Sequence, residues 1–481
     1  MNQKKLGFWL LAALVAGNMV GSAIFMLPQS LANVGSPAGI LLAWLFTGLG
    51  VLMIAHVYGQ LSDFKPALLG GPPSYTRELF NGKSKLGQIM GFEIAWGYWT
   101  SNSPGNAAIL ITLVGYLTYF LPVLQSKAIL FSVGGFHVQT GNFFSFAIAS
   151  LVLWFVHYLM LKGTYAAGKI NFVATVAKIL GFLFFIVVAL SIFDTTYLHP
   201  FIAAKTLASG KTIGLFQQMN RGAILTLWAF VGIESAAWLS GRAKRQRDVK
   251  SATLTGLLIA LIIYLLITFL AMGTLPAKEL MVADKPLVDV LTKIIGPKGS
   301  FVMATLGVLS MLGATVGWIL LSVEVPYQSA RLNLFPHWFV KENKNGAPYR
   351  AAWITNGLTQ VFLLSMISNT IANAFNEMVI IATLANLVPY LFSGLYSLNV
   401  VGKGENYETV SLRKRLLDGT MALGATLYSF WVLKSGLSDL KTLALGMLLF
   451  VSGLVLLPLL PKHDAPEEQA HLETPVESLP D

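Results

Sequence analysis

The stretch AGNMVGSAIFMLP, Ala16 to Pro28, lies inside an apolar run that begins near Leu6. The run is long enough for a membrane helix. Yet two glycines, an asparagine and a serine occupy its centre. No water meets freed backbone groups in hydrocarbon, so a break there survives only when buried in protein or lining a cavity. Breaking the run near Asn18–Ala23 starts a half-helix around Ile24. Its free amides and positive dipole end then lie at mid-membrane, where they suit a carboxylate. The alternative is a small-residue packing face through Gly17 and Gly21.

A second interrupted run supports the first reading. LTLWAFVGIESAAWLSG, residues 225–241, carries Gly232, Glu234 and Ser235 near its middle. A break after Trp228 exposes carbonyls that suit an ammonium. Counting apolar runs of about 20 residues gives twelve spans. They cover 7–34, 38–62, 87–121, 142–162, 165–193, 213–240, 251–274, 299–328, 350–369, 375–400, 415–433 and 440–460. The two interrupted spans are five apart, the mark of two inverted repeats that each open on a broken helix. The expected fold is an all-α integral membrane protein of twelve transmembrane helices. Residues 1–193 form the first repeat and 213–400 the second, an inverted 5+5 arrangement. Two extra helices follow in 415–460, then an acidic tail, 461–481, expected to be disordered.

Composition agrees. The chain is 55% hydrophobic and only 11% charged, where a soluble domain has about 25% charged residues. Its mean hydropathy is +0.66. With no Cys among its 481 residues, disulfides and thiolate chemistry are excluded. The His residues show no paired spacing, and no catalytic cluster, metal site or cofactor motif is found. The first run lacks a small-residue cleavage site and is expected to stay as a span. The net charge of +11 raises the question of nucleic acid. Placement answers it: 22 Lys and Arg fall on the side of both termini, against nine opposite. The positive-inside rule puts both termini in the cytoplasm, in a cytoplasmic (inner) membrane. The basic surplus is thus a topology signal, and no nucleic-acid partner is expected. The loop 274–298 fits this count least well.

Six motifs in order resemble the amino acid–polyamine–organocation (APC) superfamily, and within it the basic amino acid/polyamine antiporters of the arginine/agmatine type. They are GNMVGSAIFMLP (17–28), GGPPSYTRELFNGK (70–83), YWTSNSPGNAAILITLVGYLTYF (98–120), LWAFVGIESA (227–236), GWILLS (317–322) and LVPYLF (387–392). The resemblance covers spans one to ten. It implies a substrate site between spans one, three, six, eight and ten, and a homodimer. It implies that a substrate carboxylate meets the backbone at Ser22 and Ala23. The amino group would meet carbonyls near Met19, Trp228 and Val231. Asn106 takes the place of an asparagine that meets the distal cationic group, and Trp228 and Trp318 those of two gating and stacking tryptophans. Tyr98 matches a gating tyrosine, and Glu234 a glutamate tied to pH response.

This chain departs from the pattern at four places. Ala23 stands for a glycine, and Ala382 for a serine. Ser101–Asn102 is more polar than the stretch that lines the aliphatic stem, and Pro104 is expected to kink span three. These departures bear on whether arginine itself is the substrate.

Two charges lie deep in apolar runs. Glu234 is expensive there and functional by default; the alternative is a protonated, structural carboxyl. Lys178, within NFVATVAKILGFLFF (171–185), matches a lysine that takes the place of sodium in some proton-dependent members of the superfamily. In that role it ties spans one, five and eight together; the alternative is snorkelling. Trp228 and Trp318 can equally be read as core aromatics. Glu324 and Arg331 are candidates for a cytoplasmic ion pair, and Arg221 for an interfacial anchor. Glu93 is left without a role. The sum is a secondary transporter, not an enzyme, in a lipid bilayer, exchanging a cationic amino acid for a related amine or amino acid. A proton-coupled amino-acid symporter is the runner-up, and a membrane amino-acid sensor the alternative from another class.

Overall fold

The computed structural model describes residues 7–65, 68, 71–133, 136–162, 164–207, 209–234, 245–368, 370–436 and 440–460. The tail 461–481 and Ser235 therefore lie outside the described residues.

The interrupted first run gives two helices, α1 (Phe8–Met19) and α2 (Ala23–Val34). Ser36 then caps α3 (Pro37–Phe64), its hydroxyl accepting from the Gly39 amide with Pro37 at the first helical position. The loop that follows is not plain coil, because it holds α4 (Pro72–Leu79). Next come α5 (Lys85–Leu117), capped by Ser84, then α6 (Thr140–Leu161) and α7 (Thr164–Leu190). After α8 (Leu215–Phe230) the chain turns through 231–234. The longer helices that follow among the described residues are α9 (Gln246–Met272), α10 (Pro286–Arg331), α11 (Tyr349–Leu363), α12 (Ile371–Lys403), α13 (Leu412–Gly436) and α14 (Leu440–Val451). A 3-10 segment, Ser452–Leu459, extends the last of these. Two short hairpins, unforeseen in the sequence, sit in connections: β1 (Ile129–Val133) with β2 (Phe136–Gln139), and β3 (Lys205–Thr206) with β4 (Thr212–Ile213).

Seven helices among the described residues are long and apolar enough to cross a bilayer. The halves of the first run are excluded from that number because each has 12 residues. Their interruption is the feature that matters, not a lack of apolar length.

Two sequence expectations are corrected. First, α1 includes Asn18 and Met19, so the gap spans only 20–22. Likewise α8 runs two residues past Trp228. α5 stays one helix through Pro104. Second, the 274–298 connection is largely helical. Residues 286–295 form a helix that meets α10 proper at Gly296, whose φ of 68° breaks the regular winding.

Packing sorts the helices. α5 lies against α10 and α12, α7 against α10, α3 against α8 and α9, and α1 against α9. α5 is buried along most of its length, whereas α6 and α13 turn large apolar side chains outward, Leu151 and Leu416 among them. That is the pattern of a protein-facing helix inside a ring of lipid-facing ones. Polar ties fix the end of the core where α2 turns into α3. Gln218 accepts from the Ser36 amide (2.8 Å) and hydroxyl (2.9 Å), while its own amide donates to the Ala203 carbonyl at 2.7 Å. From α2, Gln29 and Asn33 both donate to the Met281 carbonyl, at 2.8 and 2.9 Å, and Ser30 donates to Asn376 at 2.7 Å. The second half of the broken helix is thereby tied to the connection before α10 and to α12.

Candidate functional site

The break between α1 and α2 leaves backbone groups without helical partners. The Val20 amide closes α1 on the Ala16 carbonyl at 2.8 Å, and the Gly21 amide bonds the Met19 carbonyl at 2.6 Å. Beyond that, the amides of Ser22, Ala23 and Ile24 meet no acceptor among the described residues. They sit, buried, at the start of a 12-residue helix. Dipole and free donors therefore point at one spot that favours an anion.

The second break faces it. α8 ends at Phe230, and the chain turns with the Val231 amide donating to the Trp228 carbonyl (3.2 Å) and the Ile233 amide to the Phe230 carbonyl (3.2 Å). Gly232 has a φ of +107°, which L side chains rarely adopt. A Cβ built on it would lie 3.2 Å from Cζ2 of Trp318 and 3.4 Å from Asn18. A Cβ on Gly21 would lie 3.8 Å from Nε1 of Trp318. The Trp318 indole thus stands between the two breaks, at once beside α1–α2 and the 231–234 turn. Two of the carbonyls expected to meet an ammonium are partly engaged: Trp228 accepts from Val231 and Met19 from Gly21, while the neighbouring Ala229 carbonyl accepts from the Tyr264 hydroxyl at 2.6 Å. Each carbonyl oxygen keeps a second lone pair.

Glu234 is fully buried. Its Oε1 accepts from the Tyr98 hydroxyl at 2.5 Å; its Oε2 accepts from the Tyr390 hydroxyl at 2.9 Å and the Gly232 amide at 3.2 Å. One carboxyl thus links α5, α12 and the turn after α8. Lys178 is 6% exposed, and its Nζ donates to the Gly17 carbonyl at 3.0 Å. A solvated lysine end is excluded by that burial. The bond joins α7 to the last turn of α1, next to the break. No hydrogen bond to α10, the third element expected, is found among the described residues.

α5 supplies the polar wall. Asn102 and Asn106 lie one turn apart and so share a face. The Asn106 Nδ2 donates to the Ser322 hydroxyl at 3.0 Å, and that hydroxyl donates to the Trp318 carbonyl at 2.6 Å. With its donor occupied, Asn106 keeps a buried Oδ1 with no partner. Asn102 Nδ2 and Ser103 Oγ are also buried and unpartnered. Such groups are uncommon and call for a ligand or water. Trp228 packs on this wall from the other side: a Cβ on Gly105 would come within 2.7 Å of its ring. Only a glycine at 105 lets the indole lie that close to α5.

Several expected residues do other work. The Ser101 hydroxyl donates to the Tyr98 carbonyl at 2.7 Å, within its own helix. Ala382 is buried in α12, its carbonyl accepting from Asn386 at 2.9 Å, and makes no hydrogen bond to the breaks. Val231 is buried in the turn. Glu324 and Arg331 do not pair: Glu324 accepts from Gln328 at 2.5 Å, and Arg331 lies 5.9 Å over the Tyr327 ring. Lys65 pairs with Glu405 at 2.5 Å, and the Lys65 ammonium holds the Glu405 carboxyl below its ordinary range. Glu93 is 9% exposed, with Oε1 unpartnered. Three participants carried no role in the sequence: Ser322, Tyr390 and the Gly17 carbonyl. Ser322 was findable, because it follows Trp318 by four residues and so shares its face.

Paired backbone breaks around an aromatic ring, enclosed by apolar helices, define a multi-pass membrane transporter rather than an enzyme. The chain matches the model of the amino acid permease family over residues 6–466 and belongs to that family. It is 50% identical over 467 residues to a Bacillus subtilis (strain 168) protein provisionally named an arginine/ornithine antiporter, covering 97% of this chain and 99% of the relative. It is 33% identical to an arginine/ornithine antiporter of Pseudomonas aeruginosa, over 95% of this chain and 90% of that one. An arginine/agmatine antiporter of Chlamydia trachomatis is 31% identical, over 90% and 85%.

Proposed function

We propose that the chain is an antiporter that exchanges a cationic amino acid, of the arginine, ornithine, lysine or histidine type, for a related amine or amino acid. It works by alternating access between two inverted five-helix repeats within twelve spans, in the bacterial inner membrane, with both termini cytoplasmic and the protein a homodimer. The relatives' names support exchange and a basic substrate. One observation carries the substrate class: the buried, unpartnered Oδ1 of Asn106, whose own amide nitrogen is engaged by Ser322. An acceptor held that way favours a substrate with a donor at its far end. The carboxylate end fits the free amides of Ser22, Ala23 and Ile24, and the stem fits between Trp228 and Trp318.

Loaded proteoliposomes test this. Internal arginine or ornithine is expected to speed uptake of labelled arginine manyfold over empty vesicles, and leucine to compete poorly. An aliphatic substrate would leave the asparagine acceptor unpaired, at about 1–3 kcal/mol. Asn106→Ala should narrow the gap between arginine and leucine. A wild-type preference for leucine over every cationic candidate would end the substrate assignment; equal rates with and without internal substrate would end exchange.

A companion measurement concerns Trp318. Losing a desolvated cation–aromatic contact of about 2 kcal/mol predicts roughly thirtyfold weaker binding of a cationic substrate to Trp318→Leu. Unchanged affinity in calorimetry would make the indole a packing residue only. The second reading, a proton-coupled symporter, is favoured by Lys178 at the break. It predicts uptake into empty vesicles driven by an inward proton gradient.

A further inference from the structure

Three basic side chains outside the substrate site gather at one place. Lys211, Arg221 and Lys434 line a cavity of about 520 Å³ between α8, α12 and α13, with no carboxylate among its lining residues. None of the three forms an ion pair among the described residues. In the proposed topology all three lie on or toward the side opposite the termini, where basic residues are scarce. Their collection at one cavity is therefore unusual.

The cavity does not stand alone. Phe216 and Trp431 line it, and both also line a second cavity of about 290 Å³ that is almost wholly apolar. That groove continues along Leu49 and Leu427 on the outward faces of α3 and α13, where each is 59% exposed. Trp431 marks the junction. Its indole nitrogen donates to Asn220 at 2.9 Å, and its ring meets Phe216 edge-on at 5.7 Å between centroids. A tryptophan with one polar tie and an apolar body is the usual occupant of the headgroup level of a bilayer.

We infer that this pair of cavities is a binding site for an anionic diacyl phospholipid, its phosphodiester among Lys211, Arg221 and Lys434 and an acyl chain in the groove below Trp431. The charge complementarity is one-sided: the described lining residues carry three cations and no carboxylate. A neutral zwitterionic lipid fits the groove but leaves those cations unmatched. A soluble phosphate ester satisfies the cations but leaves the groove empty. Basic pockets between membrane helices hold anionic headgroups by this division of labour.

The test uses the full-length purified protein in detergent, titrated with phosphatidylglycerol, phosphatidylcholine or glycerol 1-phosphate and read by native mass spectrometry. Phosphatidylglycerol should be retained, and the other two far less. Each cation removed is expected to weaken retention roughly fivefold, so Arg221→Gln with Lys434→Gln should weaken it about 25-fold. Leu49→Trp, which fills the groove from a lipid-facing position, should weaken the lipid and leave glycerol phosphate unaffected. Lys211→Gln alone serves if the double variant does not fold. Equal retention of phosphatidylcholine, equal binding of glycerol phosphate, or wild-type retention by the variants would overturn the assignment. So would a monomer–dimer shift on Leu49→Trp without any change in bound lipid, which would give the surface to a second copy of the chain.

Discussion

Lys178→Ala is expected to slow exchange by ten- to a hundredfold while leaving the protein in the membrane. The Nζ of Lys178 donates to the Gly17 carbonyl at 3.0 Å, with the side chain 6% exposed. A hydrogen bond made by a charged group contributes about 1.5–3 kcal/mol, which is that range of rate when it holds one arrangement of α1 against α7. The bond falls in the last turn before the break, where helical bonding has run out. Its loss should loosen the carbonyls and amides beside it, and not the distant core. Lys178→Met keeps the aliphatic stem and should behave like the alanine variant; Lys178→Arg keeps a donor and should be milder. Exchange in proteoliposomes, normalised to reconstituted protein, measures the effect. Wild-type turnover in Lys178→Met would remove the lysine from the transport cycle.

Glu234→Ala should be the most destabilising single change at the site. It removes the carboxyl that the Tyr98 and Tyr390 hydroxyls and the Gly232 amide all donate to. The Tyr390 hydroxyl, left buried without its acceptor, costs about 1–3 kcal/mol by itself, and the short bond to Tyr98 is lost as well. The turn after α8 would then lose both its anchor and its ties to α5 and α12. Glu234→Gln keeps one acceptor oxygen and offers a donor to the other tyrosine, so it should be far milder. A fluorescence-monitored melt in detergent separates them: the alanine variant should unfold several degrees below the glutamine variant. Coincident melts would show that the tyrosines are satisfied by other partners.

These expectations rest on residues that differ in how plainly they could be read from the chain. Apolar period and length make the spans legible, because a bilayer demands about 20 apolar residues whatever the rest of the protein does. Gly17, Gly21 and Gly232 advertise the two interruptions for the same reason: unpaired backbone in lipid is too costly to be accidental. Glu234 and Lys178 stand out as charges where charge is expensive. All of this is local, or set by the solvent.

Partners are another matter. The sequence shows a glutamate within a span, but only folding brings Tyr98 from α5 and Tyr390 from α12 to its two oxygens. It shows Asn106, but not that Ser322 of α10 takes its nitrogen and leaves its oxygen alone. Nor could it show that Glu324 turns to Gln328 instead of Arg331, since two charges near one helix end are free to choose different neighbours. The two extra residues that α1 and α8 each wind past the expected breaks have the same origin. Glycine and asparagine weaken a helix by under about 1 kcal/mol each, so packing against Trp318 and Lys178 decides where winding stops. Composition and period determined that this chain is a bundle of membrane helices with two broken members. Which side chain completes which bond was decided by the approach of helices distant in sequence, whose geometry no local propensity encodes.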